Sequence, residues 1–315
     1  MTEKAPSYRF LFGPVHSRRL GISLGVDLIP HKTCTLNCVY CECGKTTRLT
    51  LERSEYLPTD AILEELDSFL SQNPKLDFIT FSGAGEPTLH SGIVKIIDFI
   101  KSRHPQYRVA VLTNGTLFIQ AQVRNEIAGA DLVIASLDAA SAGSFNSINR
   151  PHPKLTINDL VEGLAKFQEE QPGQLQVEVF VVPGLNDAQD ELNCIKTALN
   201  EISPGLVHLN TLDRPGTEEW VRPATRDSLH LIARQLGGVD VVRFKPGSPD
   251  KAESMENVQE RILSTLKRRP CTSQDLGNMF GLEESDLQDL LNPFILKGLI
   301  EIKEMARGVF YKARE

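Results

Sequence analysis

Over the first 250 residues, short runs of β-branched and aromatic residues alternate with stretches whose apolar positions recur every three or four residues. Runs of the first kind suit buried strands and stretches of the second kind amphipathic helices, so their alternation predicts a parallel α/β sheet or barrel. Strands are expected at 23–29, 76–81, 107–112, 132–137, 175–182 and 206–210, with helices at 59–70, 93–102, 117–127, 157–169 and 187–202 between them. In the first of these helices Ile62, Leu63, Leu66, Phe69 and Leu70 share one face. Six βα units fall short of the eight of a closed TIM barrel, which predicts an open six-unit (βα) partial TIM barrel. A helix at 226–236 and an edge strand at 239–244 would complete it.

The pattern breaks at 246–252, where PGSPDKA is polar and rich in proline and glycine, as a linker is. This divides the chain into a barrel at 1–245, a linker at 246–252 and a small domain at 253–315. The small domain reads as a helix at 256–268, a helix–turn–helix formed by 273–280, Gly281 and 283–297, and two strands at 299–302 and 309–311 around Gly308. That order resembles a winged helix-turn-helix domain. A DNA reader needs positive charge and donors on the second helix of the motif. Here that helix carries Glu283, Glu284, Asp286 and Asp289, so DNA is disfavoured, and a protein, a peptide, the barrel or another subunit is the expected contact. RNA binding along the wing through Lys303, Arg307 and Lys312 stays open.

Charge and composition narrow the class. A chain of 315 residues, 41% hydrophobic, can bury one large core and a small appendage. No h-region opens the sequence and no run of about 18 apolar residues occurs, so a cytoplasmic protein with no membrane segment is expected. The net charge of -7 argues against broad non-specific nucleic-acid binding. Residues 1–53 nevertheless hold eight Lys or Arg against four acids, a local positive surface that could equally be a solvated face.

That basic segment surrounds the stretch TCTLNCVYCECG at 33–44, in which Cys34, Cys38 and Cys41 stand in the spacing CxxxCxxC. Three thiolates so close can hold three irons of a [4Fe–4S] cube and leave the fourth iron open. A structural zinc site wants four N or S ligands in two separated pairs, and no second CxxC or HxxxH follows. Cys43 as a fourth ligand would close the open iron and is read as a spectator; with Cys194 and Cys271 far off in sequence, one cluster is expected. This loop, with Tyr40 before the third cysteine, resembles the signature of the radical S-adenosylmethionine (radical SAM) superfamily. The longer run FGPVHSRRLGISLGVDLIPHKTCTLNCVYCECGKTT resembles the branch related to the wyosine tRNA-base synthases, although the extra N-terminal cysteines of many of those enzymes are missing here.

In parallel sheets the chemistry sits beyond the C-terminal ends of the strands. After the second strand comes SGAGEPTLH, whose Gly83, Gly85 and Glu86 resemble the family's Gly-Gly-Glu segment for the amino group of S-adenosylmethionine (SAM). Asn114 after the third strand, Ser136 and Asp138 after the fourth, and Asn186 after the fifth are further candidate SAM contacts. Asn186 could instead cap the next helix, and Tyr40 could either stack on adenine or wall off water. His16, Arg18, Arg19, Arg150, His152 and Arg214 lie in loops on the same side and would, if they converge, form an anion-recognising mouth; singly, each suits a surface ion pair. The resemblance implies an oxygen-sensitive enzyme that uses one [4Fe–4S] cluster to cleave SAM reductively and abstracts a substrate hydrogen with a 5′-deoxyadenosyl radical. An external electron donor, flavodoxin or ferredoxin, is implied. An RNA base or other anionic molecule and a peptide or protein are the two substrate readings; a non-catalytic Fe–S or SAM-responsive regulator is the alternative from another class.

Overall fold

The computed structural model describes residues 8–17, 19–237, 239–241 and 258–314. Its first half-dozen elements are β1 (Leu11–Ser17), β2 (Gly21–Val26), the short β3 (Thr33–Cys34) and β4 (Arg48–Leu49), α1 (Thr59–Leu70) and β5 (Phe78–Phe81). Then come α2 (Ile93–Arg103), β6 (Val109–Thr113), α3 (Ala121–Ile127), β7 (Leu132–Ser136), α4 (Ala142–Ile148), α5 (Ile157–Glu170) and β8 (Leu175–Val181). The sheet ends with α6 (Gln189–Ile202), β9 (Leu206–Thr211), α7 (Arg226–Gln235) and β10 (Asp240–Val241). Strand order is β1-β2-β5-β6-β7-β8-β9-β10, with every pairing parallel except β1 against β2. The fold is thus α/β around a mostly parallel sheet, and the six expected strands form its centre. The antiparallel edge β1 and the short helix α4 were not foreseen. Of the edge strand expected at 239–244, residues 240 and 241 pair with β9; the rest, and the linker at 246–252, lie outside the described residues.

Alternate residues of each strand face opposite ways. Leu24, Val26, Ile79, Phe81, Val109, Val111, Val133 and Val177 point into the helix-covered core, where α1 adds Ile62, Leu66 and Leu70. The inner face is mixed: Phe78, Ala110, Leu132 and Ile134 pack together, beside the polar Ser23, Thr80 and Glu178. An inner face that keeps polar side chains among apolar ones, opposite an apolar helix face, leaves room for ligand chemistry inside the sheet.

A second, smaller core belongs to 258–314. Here α8 (Val258–Arg268), β11 (Cys271–Thr272), α9 (Ser273–Phe280), α10 (Glu284–Leu296), β12 (Ile300–Met305) and β13 (Gly308–Ala313) bury Ile262, Leu276, Leu287, Leu291 and Phe310. The strands order β11-β13-β12, all antiparallel. Thr272 and Asp275 cap α9 reciprocally, and Gly281 ends it in the left-handed conformation at φ 64°. This unit rests on the sheet through Arg268 to Asp27, Arg214 to Asp275 and Arg307 to Asp213. No helix of the described residues is long and apolar enough to cross a membrane.

Candidate cluster and cofactor site

The cysteine loop leaves β2 and is clamped on two sides by backbone bonds. Lys32 N–H donates to Ala84 (2.5 Å) and Glu86 N–H to Thr33 (3.1 Å), joining it to the loop after β5. Asn37 and Val39 N–H donate to Asn149 and Ile148, joining it to the end of α4. The first clamp is so close that a Cβ on Gly85 would fall 2.0 Å from the Thr33 carbonyl, and one on Gly83, at φ 129°, 2.4 Å from Asp27 Oδ1. Gly85 is therefore required by the packing of its backbone on the cysteine loop, and Gly83 by its positive φ.

Each of the three thiols meets a different nitrogen. Lys32 Nζ lies 3.0 Å from Cys41 Sγ, Asn114 Nδ2 3.5 Å from Cys34 Sγ, and Asn149 Nδ2 3.5 Å from Cys38 Sγ. Such donors favour thiolate and tune a sulfur-ligated cluster. Lys32 reaches its thiol from a left-handed backbone, φ 58°, strained for a residue with a side chain. Burial opposes its ammonium, but the Cys41 and Cys43 charges outweigh that and raise its pKa. Burial, then the Glu86 charge, pushes Cys34 up to about 12, and burial followed by Asp138 raises Cys38. Cys41 is lowered to about 5, chiefly by its hydrogen bond with Cys43, with Lys32 assisting against burial. Among the described residues no three His, Cys, Asp or Glu side chains converge as ligands of one ion do. Cluster ligands need not, because they attach to separate irons at the corners of the cube.

Several predicted ligand contacts turn out to hold the loop. Glu86 is buried; Oε1 accepts from Thr88 N–H (3.1 Å), Thr88 Oγ1 (2.6 Å) and Thr113 Oγ1 (2.6 Å), and Oε2 from Asn114 N–H (2.7 Å). Asn114 divides its amide between Cys34, Thr35 and Thr116. Asp138, also buried, accepts from Tyr40 Oη (2.5 Å), Asn149 Nδ2 (2.6 Å) and Phe180 N–H (3.0 Å), so it orients the amide that meets Cys38. Tyr40 stacks on Phe180 with centroids 3.8 Å apart, an internal wall in place of a free adenine platform on that face. Asn186 is neither a free contact nor the helix cap: its amide bridges Asp138 O, Phe180 O and Val182 N–H, while Ala188 is the N-cap residue of α6. Ser136, half-buried at the end of β7, has no hydrogen-bond partner for its hydroxyl among the described residues.

The four described basic candidates fall into two pairs. Arg18 and the His16 side chain lie outside the described residues. Arg150 pairs with Glu218, and His152 Nδ1 accepts from Lys154 N–H (3.3 Å); both residues bond the cysteine loop through their backbones, at Asn37 and Thr35. Arg19, paired with Glu178, and Arg214, between Glu42 (3.7 Å) and Asp275 (3.6 Å), line one cavity of about 250 Å³. Its walls also include Cys43 and Gly83 beside the cysteine loop, and Arg268, Arg269 and Met279 of the C-terminal unit. Lys32, Asn149 and the C-terminal arginines were not anticipated. Lys32 could have been noticed two positions before Cys34; nothing in the sequence ties Asn149 or Arg269 to the site.

The Radical SAM superfamily pattern matches residues 28–192, which span the cysteine loop and the strands that clamp it. A UPF0026 protein of Methanocaldococcus jannaschii is 31% identical over 310 residues, covering 95% of this chain and 94% of that protein. A protein named GTPase Obg from Brachyspira hyodysenteriae is 34% identical over 302 residues, covering 95% of this chain; the chain spans 44% of that relative's length. Among solved structures, a radical SAM methyltransferase from Sphaerobacter thermophilus matches with a TM-score of 0.56 at 16% identity, over 71% of this chain and 67% of that one, a likeness of fold. The chain therefore belongs to the radical SAM superfamily, whose [4Fe–4S] cluster and S-adenosylmethionine are its cofactors, and to the UPF0026 proteins.

Proposed function

We propose that Cys34, Cys38 and Cys41 hold the cluster and that the chain is a hydrogen-abstracting enzyme acting on an anionic substrate. The observation that carries this is the separate N–H donor on each thiol, supplied by Lys32, Asn114 and Asn149 from three different segments. A cluster held by these cysteines would supply, once reduced, the electron for cleaving SAM to methionine and a 5′-deoxyadenosyl radical that would take a hydrogen from the substrate. The chain's own part is support. Lys32 offsets thiolate charge, Asp138 and Glu86 hold the two asparagines in place, and Tyr40 on Phe180 excludes water beside the cysteines. Ser136 is the SAM contact best supported by a free hydroxyl, with the 83–85 backbone alongside.

A flavodoxin- or ferredoxin-like donor in the cytoplasm would deliver the electron. The C-terminal unit, from 253 onward, is read as a winged-helix domain, supported by its three helices and antiparallel sheet in winged-helix order. The resemblance of the run around the cysteine loop to the wyosine branch makes an RNA base the first substrate reading. The wing itself is a poor RNA contact, because Lys303 pairs with Glu219 and Arg307 with Asp213 and Asp275. A peptide substrate is the second reading, favoured by the exposed acids of α10 and by the exposed Leu296, Leu299 and Ile302.

The test is anaerobic. The protein is reconstituted with iron and sulfide, reduced with dithionite and given SAM, and 5′-deoxyadenosine is quantified beside a Cys38→Ala variant. Release from the intact protein alone is expected. A loaded cluster that binds SAM and, with RNA or peptide supplied, never yields 5′-deoxyadenosine would overturn the enzyme reading in favour of a regulator.

A further inference from the structure

The cavity on the inner face is closed by the C-terminal unit, and its charge is unevenly satisfied. Four arginines line it: Arg19, Arg214, Arg268 and Arg269. Three have carboxylates. Arg19 pairs with Glu178, Arg214 sits between Glu42 and Asp275, and Arg268 holds Asp27 at 2.6 Å. Arg269 has none within ion-pair distance among the described residues; its side chain's hydrogen bond is from Nη2 to the Met279 sulfur at 3.8 Å, a weak acceptor. The residue follows α8 directly, its N–H bonded to Thr265 and its carbonyl leading into Pro270, so the backbone places the guanidinium firmly. Burial, then the charge of Arg214, depresses its pKa, and the half-buried side chain faces the cavity.

A guanidinium kept unpaired beside a second arginine at the wall of a cavity is costly unless something else supplies the oxyanion. The other walls are mixed: Phe12, Leu20, Leu112 and Met279 stand beside Ser23, Thr80, Ser82 and Asn278, the Glu42 and Asp275 carboxylates are already engaged by Arg214, and the cavity reaches Cys43 and Gly83 next to the cysteine loop. At about 250 Å³ it lies just under the ~300 Å³ lower end of ligand pockets, which suits a group the size of one base or one amino-acid side chain.

We propose that Arg269 binds an oxyanion of the substrate, a carboxylate or a phosphate, in a subsite shared between the sheet and the C-terminal unit. This rests on the enzyme reading above only for the word substrate; the anion site stands on the cavity and its unpaired arginine. It assigns the C-terminal unit a part of the binding pocket, beyond docking.

The experiment uses the full-length protein and two probes, inorganic phosphate and acetate, titrated calorimetrically against wild type, Arg269→Gln, Arg269→Lys and the remote surface variant Arg48→Gln. Wild type and Arg48→Gln are expected to bind one of the anions saturably. Arg269→Gln should weaken it about tenfold or more, the loss of one charge-assisted pair. If Arg269→Gln does not fold, Arg269→Lys decides: it keeps the charge but loses the fork, so binding should fall several-fold. Preference for acetate assigns a carboxylate group, preference for phosphate a phosphate group, and either supports the site. No saturable binding in wild type, or equal affinity in wild type and both Arg269 variants, overturns it. Cys38→Ala separates the two readings, since it should abolish 5′-deoxyadenosine while leaving anion affinity unchanged. An Arg269-dependent affinity in a protein that never cleaves SAM would sink the enzyme reading and leave the anion site standing.

Discussion

Asp275 is the residue on which the docking of the C-terminal unit should depend most. Its carboxylate takes Arg307 through both oxygens, Nη1 at 2.9 Å and Nη2 at 2.8 Å, stands 3.6 Å from Arg214, and accepts the Thr272 N–H at the start of α9. The side chain is 5% exposed, so these contacts are little screened. Replacing it by alanine leaves two guanidinium groups facing each other across the interface and removes half a capping box. Breaking a buried pair costs about 3–5 kcal/mol and losing a cap about 1 kcal/mol. Arg307, at 20% exposure, recovers some hydration, so the expected total is ~3–5 kcal/mol for Asp275→Ala and about 2–3 kcal/mol for Asp275→Asn, which keeps an acceptor for the cap.

Acid should reveal the same carboxylate. Burial pushes Asp275 up, but the hydrogen bonds from Arg307 and the charge of Arg214 outweigh it and hold the group below its ordinary value. A depressed folded-state value means stability that is fully present above the unfolded value of about 3.9 and lost as pH falls from there through the folded value. Urea unfolding followed by Trp220, the single tryptophan, can read this, because Trp220 adjoins Glu219, the partner of Lys303 on β12. The gap between wild type and Asp275→Asn should be flat from pH 7 to about 5 and shrink below about 4. A gap under ~1 kcal/mol at pH 7, or one that widens in acid, would refute the reasoning.

Other substitutions test the cysteine loop. Lys32→Met and Asn149→Ala should each reduce iron retention after reconstitution by about tenfold, read against a competing chelator, since each removes one donor from one thiol. Gly85→Ala places a methyl 2.0 Å from a backbone carbonyl that cannot swing away; a loss of ~3 kcal/mol or more and poor cluster loading are expected, and wild-type loading would show that the two loops separate freely. Tyr40→Phe keeps the stack on Phe180 but takes a donor from Asp138, for an expected loss of about 1.5–3 kcal/mol in the apo protein by denaturant midpoint.

What was legible in the sequence was whatever local spacing encodes. Three cysteines in one loop, a glycine-rich turn after a strand and helices with a 3.6-residue apolar period are each written in contiguous residues, and each appears where expected. What was not legible depends on register between distant segments. Asn149 meets Cys38 only because α4 ends against the loop at 37–39, and α4 itself is too short, at seven residues, to announce a period. Asn186 looks like a helix cap because it precedes a helix, yet the chain turns it back to bridge the ends of β7 and β8. The candidates whose side chains turn towards the loops share a cause. At strand ends in a parallel sheet, a short polar side chain can face a ligand or a neighbouring loop, and sequence position is the same for both. Buried loops carry backbone groups that must be satisfied, so the loops here take most of these side chains for themselves. That is why Glu86, Asn114 and Asp138 hold the cysteines in position, while Ser136 and Arg269 are, among the described residues, two side chains on this side of the sheet that these loops leave without a strong partner.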